Sequence, residues 1–203
     1  MLPTLLATVA LHNYDATPQA AAIQAVSFGL KRPAIIRRMN VVGRYAVVLT
    51  SGGMMEGSTV SAPVLVQHFS FGWQALDLLN FRCRLESHEL GRQIDALLMR
   101  GMPRPEDEWP CRARPNDAGP TADVEAVRRL MHGPLVPYVA ASGNWAMGEW
   151  YGGGGGESLY RKHEDHWQVV ADGGGAMGVQ EMRQYGVPPS DWCTFGIYNA
   201  KCH

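Results

Sequence analysis

Apolar and polar positions follow two periods along this chain, and the switch between them marks the elements. Ile23, Val26 and Leu30 recur at helical spacing after Thr17-Pro18, a hydroxyl that can cap followed by proline at the first helical position. Pro33 closes that helix. Apolar runs predict strands over 45–50, 64–69 and 73–79, with 52–58 as a glycine-rich turn and Phe71-Gly72 as a hairpin turn. Ser87 can cap a helix with the stripe Leu90, Ile94, Leu97 and Leu98, stopped at Gly101. The order then returns. Thr121 is expected to cap a helix bearing Val124, Val127 and Met131, which Gly133-Pro134 closes. Strands follow over 145–151, 159–163 and 167–171, with Glu164-Asp165 as a turn. A short helix through Val179 and Met182 stops at Gly186. Upstream, 5–11 reads as a buried strand. Alternation in the last strand places Trp167, Val169 and Ala171 on one face, and Gln168 and Val170 on the other.

The return of the order is matched by residues. Ala25-Val26 recurs as Ala126-Val127, Pro33 as Pro134 and Gly43-Arg44-Tyr45-Ala46 as Gly143-Asn144-Trp145-Ala146. Trp73-Gln74 recurs as Trp167-Gln168, and Gly101-Met102-Pro103 as Gly186-Val187-Pro188. The spacing between copies shrinks along the chain, as for one unit duplicated and trimmed in its loops. The expected fold is α+β, a tandem pseudo-repeat of helix–three antiparallel strands–helix units with the helices on one side. Residues 1–103 form the first unit with an N-terminal strand, 104–120 a proline-rich linker pinned by Trp109 and Cys111, and 121–203 the second unit with a C-terminal tail.

Composition narrows the functions. The chain is 46% hydrophobic and 18% charged, with a net charge of −1. No basic stripe alternates with aromatics, so nucleic acid is not an expected partner. The apolar run over 5–11 is too short to cross a bilayer, and no Lys or Arg precedes it, since Lys31 is the first, so it makes a poor signal peptide. Export would require a leader removed ahead of Met1. None of the four cysteines forms a C-x-x-C pair. A Cys193–Cys202 disulfide would close the tail and restrict the unfolded chain by roughly 2–3 kcal/mol. Cys83 and Cys111 remain as a second candidate pair, and four thiols in a reducing cytosol are the alternative.

Candidate chemistry is sparse. His163-Glu164-Asp165-His166 concentrates metal-ligand types and would centre a metal-dependent hydrolase, yet it falls on a turn whose first-unit counterpart, Phe69-Ser70-Phe71-Gly72, has no carboxylate or imidazole. Gly173-Gly174-Gly175-Ala176-Met177-Gly178 matches G-x-G-x-x-G, but no acidic residue follows at the expected distance, so a dinucleotide site is not implied. Those amides can still form a small anion nest, which would suit a carrier of small anionic ligands. The glycines at 152–156 lack a following Lys-Ser/Thr and read as a hairpin loop beside strand aromatics. Trp150, Tyr151 and Tyr160 have no aromatic counterparts in the first unit, which points to a binding surface or to added core bulk.

The segment from Gly143 to Pro188 resembles a family of uncharacterised, exported bacterial proteins, often cyanobacterial. The resemblance rests on Asn144-Trp145-Ala146, the glycines at 152–156, Trp167-Gln168-Val169-Val170, Gly173 to Ala176 and Gly186-Val187-Pro188. It implies a periplasmic or secreted location, with cytoplasmic as the alternative, and no catalytic residues. The sequence therefore leans away from an enzyme and towards a non-catalytic, exported binding or protein-interaction module. Its surface would use Trp150, Tyr151, Tyr160 and Gly173 to Gly175, without a cofactor, for an unknown protein or small ligand.

Overall fold

The computed structural model describes residues 14–27, 34–51, 53–55, 58–60, 63–77, 117–152, 154–197 and 199–201. The expected strand over 5–11, the helix over 87–98 with its Gly101 stop, Trp109, Cys83, Cys111 and Cys202 lie outside them. Helix α1, Pro18–Ser27, starts as its sequence predicts: Thr17 Oγ1 accepts the amide of Ala20 at 3.2 Å. Its buried face carries Ala21, Ala22, Ala25 and Val26.

Before α1 comes β1, Tyr14–Asp15, and after it β2, Ile35–Val42, and β3, Tyr45–Ser51. A small hairpin of β4, Gly53–Met55, and β5, Ser58–Val60, leads to β6, Pro63–Phe69, and β7, Gly72–Asp77. The first sheet runs β1-β7-β6-β3-β2 and is antiparallel throughout. Helix α2, Thr121–Leu130, precedes β8, Leu135–Ser142, β9, Trp145–Tyr151, β10, Gly155–His163, and β11, His166–Gly174. These form the second antiparallel sheet in the order β11-β10-β9-β8. Helix α3, Val179–Tyr185, and a turn of 3₁₀-helix, Pro189–Asp191, follow. The fold is therefore α+β and mostly β. Among the described residues, no helix is long and apolar enough to cross a membrane.

Several expectations change. Each large sheet has four strands in its meander, because β2 and β8 were not anticipated. Pro137 hides β8 from a sequence reading; it sits in a register shift between Leu135 and Tyr138, where a missing N–H is tolerated. Thr121 is the first helical residue after the cap position Pro120 and makes no side-chain cap. The alternation expected in β11 breaks at a bulge. Leu159 pairs with Ala171 but Tyr160 with Val169, which leaves Val170 as the extra residue. Trp167 consequently packs with α2 while Ala171 packs on the opposite face.

The helices do not share one side. Val124 and Val127 of α2, with Met131 just after it, bury Val139, Ala146, Tyr160 and Trp167 on one face of the second sheet. Met182 of α3, with Val187, Trp192, Phe195 and Ile197, covers Tyr138, Trp145, Met147 and Leu159 on the other. Gly186 closes α3 in the left-handed region at φ 75°, and Val187 N–H donates to Met182 O at 2.9 Å. The C-terminal tail is thus held by aromatic residues of its own and of β8. Trp192 Nε1 donates to Val187 O at 3.0 Å, and the Tyr138 hydroxyl donates to Thr194 O. Cys193 is also disulfide-bonded, to a partner outside the described residues.

A buried polar joint ties the two sheets together. Arg128, in the last turn of α2, donates to Asp117 through Nε (2.9 Å) and Nη2 (2.5 Å), and through Nη1 to Gln74 Oε1 (2.7 Å) and Val136 O (2.8 Å). The Phe69 ring lies 4.7 Å below the guanidinium carbon. Asp117 also accepts the Val139 amide, and Ala118 bonds across β8, so the end of the proline-rich segment lies against the second sheet. Leu135 of β8 belongs to the core of the first sheet.

Candidate functional site

Trp150, Tyr151 and Gly173 to Gly175 meet at the end of the second sheet where β9 turns into β10, whereas Tyr160 lies fully buried in the middle of β10. Glycine makes that end possible. A Cβ on Gly156 would lie 2.1 Å from Gly173 O and 2.8 Å from the Trp150 ring, and one on Gly133 would lie 2.5 Å from Trp150 Cβ. A Cβ on Gly155 would strike the Tyr151 ring at 2.6 Å. Bare backbone therefore seats both aromatic rings, one on each face of β9.

Hydrogen bonds hold the rings in place. Tyr151, 42% exposed, donates its hydroxyl to Glu149 Oε1 at 2.6 Å. Trp150, half-buried, donates Nε1 to Ser158 Oγ at 3.1 Å. Ser158 is fully buried and donates onward to Asp172 Oδ1 at 2.7 Å. The other carboxylate oxygen of Asp172 meets His132 Nε2 at 2.5 Å. His132 lies just beyond the C-terminus of α2, and its ring centroid is 6.2 Å from that of Trp150. A polar chain thus runs from β9 through β10 and β11 to the loop after α2. His132, Ser158 and Asp172 were not singled out from the sequence. Ser158 carries a usable signal, a polar residue at an inward strand position two places before Tyr160.

Electrostatics follow from this arrangement. Burial pushes the Asp172 carboxyl up. Hydrogen bonds from Ser158, His132 and Trp150 and the nearby imidazole outweigh it, so its pKa lies below the usual carboxylate value. Tyr160 is fully buried among Val139, Ala146 and Trp167, behind this chain. Burial pushes its phenol up to about 12; Ser158 lies close enough to oppose the shift and Asp172 adds to it. The Tyr160 hydroxyl nevertheless forms no hydrogen bond among the described residues.

Ser158, Asp172 and His132 share the residue types of a hydrolytic triad but not its wiring. In a triad the imidazole bridges hydroxyl and carboxylate and takes the hydroxyl proton. Here the carboxylate bridges the other two, and Ser158 gives its proton towards Asp172. The imidazole has no hydrogen bond to Ser158 through which to activate it.

The remaining candidates lie elsewhere. His163 and His166 are direct cross-strand partners at the far hairpin, and both are exposed, as is Glu164 between them. Among the described residues, no group of three or more His, Cys, Asp or Glu side chains is arranged to hold a metal ion. Gly173 and Gly174 end β11, and the Gly175 amide donates to Gly155 O at 3.1 Å, so that amide is already engaged. No protein-family model matches this chain, and neither a curated protein nor a solved structure shows significant similarity to it.

Proposed function

We propose that this chain is a non-catalytic binding or protein-interaction module whose recognition surface is the glycine-rich end of the second sheet, centred on Trp150 and Tyr151. The observation that carries this reading is their seating: two large rings at one strand end, each laid against bare glycine backbone and each fixed by a hydrogen bond. Rings immobilised in advance lose little rotamer freedom on binding and offer large amphipathic contact area. Tyr160 supports the surface from the core, and Gly173 to Gly175 line its edge.

We read the scaffold as two copies of one unit. Each sheet has a helix followed by a four-strand antiparallel meander. Gly43 and Gly143 turn their hairpins at φ 57° and 55°. Register shifts fall at matching places, between Ile36 and Arg38 and between Leu135 and Tyr138, then at Leu65/Val66 and at Leu159/Tyr160. A shared ancestor for the halves accounts for why unshared aromatics at one tip are available for recognition. The disulfide at Cys193 supports an oxidising, exported location.

The test is binding of purified protein to peptide and glycan arrays, with Tyr151→Ser and Trp150→Ser beside the wild type. The reading expects array binding that either substitution abolishes while the melting temperature of Tyr151→Ser stays within a few degrees of wild type. Wild-type binding that survives both substitutions overturns it, as does a collapse in the stability of Tyr151→Ser.

A further inference from the structure

Behind His132 the site is already built. Ser158 holds Asp172 Oδ1, Trp150 holds Ser158, and Gly133 and Gly156 seat Trp150. None of these contacts needs His132. His132 comes from a loop, its side chain is 51% exposed, and its imidazole meets the outer oxygen of Asp172. The imidazole therefore occupies the space between a fixed carboxylate and a neighbouring indole.

That environment is what an arginine side chain seeks. A carboxylate offers a charge-assisted hydrogen bond, and an aromatic ring attracts and stacks a planar cation. Ser158 holds the carboxylate from behind through a contact that does not involve His132. Glu149 and Glu157, cross-strand partners at the same end of the sheet, add negative charge from the other face.

We infer that His132 is an internal stand-in, and that Asp172 and Trp150 receive the guanidinium group of a partner's arginine when His132 swings aside. The inference rests on the reading of this end of the sheet as a recognition surface, and it names the chemistry recognised. His132 then sets a threshold, because an incoming cation must displace it from Asp172.

Methylguanidinium is the probe, titrated calorimetrically into wild type, His132→Ala and the double variant His132→Ala with Asp172→Asn. Removing the stand-in should tighten methylguanidinium binding by about tenfold. The added Asp172→Asn change should abolish that gain, and imidazole should compete with methylguanidinium in His132→Ala. Equal affinity for wild type and His132→Ala overturns the inference, as does a gain that persists without the carboxylate. Should Asp172→Asn unfold the protein, Trp150→Phe in the His132→Ala background replaces it. That variant keeps a ring but loses the anchor on Ser158, so it should also lose the gain, and retention of the full gain overturns the proposal. Array binding that depends on Tyr151 yet ignores arginine content leaves the recognition surface standing and overturns the guanidinium assignment.

Discussion

Arg128 donates to the side-chain oxygen of Gln74 at 2.7 Å in the joint between the two sheets, and neither side chain is more than 1% exposed. The Gln74 amide returns the contact by donating to Arg128 O at 3.3 Å. A charge this deeply buried is tolerable because Asp117, Gln74 and Val136 take up its donors.

The two sides of this joint should not be independent. Gln74→Leu leaves a guanidinium donor unsatisfied and should destabilise by about 1–3 kcal/mol. Arg128→Met takes the cation away from Asp117, which keeps the Val139 amide, and leaves Gln74 Oε1 and Val136 O without its N–H donors; it should lose about 3–5 kcal/mol. The double change Arg128→Met with Gln74→Leu should lose less than the two single effects added together. Urea unfolding of the set measures the coupling, and strict additivity would show that the pair does not act as a unit.

Acid should weaken the Asp172 chain. Its carboxyl ionises more readily folded than unfolded, so its contribution is complete above the unfolded-state pKa and disappears as pH falls through the lower folded value. Wild type should therefore exceed Asp172→Asn in stability at neutral pH, and the gap should close on acidification. A gap that is constant with pH, read from urea midpoints, would contradict this.

Glu164 turns the β10–β11 hairpin at φ 56°, a region that disfavours residues with a Cβ. It is exposed, so little packing is at stake. Glu164→Gly should raise stability by about 1 kcal/mol, seen as a higher urea midpoint with an unchanged slope.

Two glycines in one region should respond differently to alanine. Gly156→Ala forces a Cβ against Gly173 O and the Trp150 ring, and should destabilise by about 1–3 kcal/mol and shift tryptophan emission. Gly173→Ala meets nothing within 4 Å and should stay within about 0.5 kcal/mol of wild type. Thermal melts with fluorescence check both.

Local signals revealed much of this fold. Thr17-Pro18 starts α1, Gly186 stops α3, and Glu164-Asp165 turns the last hairpin, because each depends on chemistry within a few residues. The strands β2 and β8 escaped notice. Arg37 and Arg38 break the apolar pattern of one, Pro137 breaks that of the other, and bulges absorb the irregularity. The candidate site was half legible. Trp150 and Tyr151 stood out as aromatics without counterparts. His132, Ser158 and Asp172 did not, because three separate elements bring them together. Arg128 and Gln74 were hidden for the same reason. Nothing local distinguishes a buried arginine from one on a solvated helix face.

The bulge at Val170 matters more than its side chain. Were Val170 counted in strict alternation instead of set aside in the bulge, Asp172 would point at α3, away from the serine and the imidazole that now grip it. The polar relay is thus a product of counting rather than of composition. Deleting Val170 would set Val169 beside Ala171 in unbroken alternation and should spare the relay, whereas one residue inserted between Ala171 and Asp172 would turn Asp172 to the other face and dismantle the relay with every participant still in the chain.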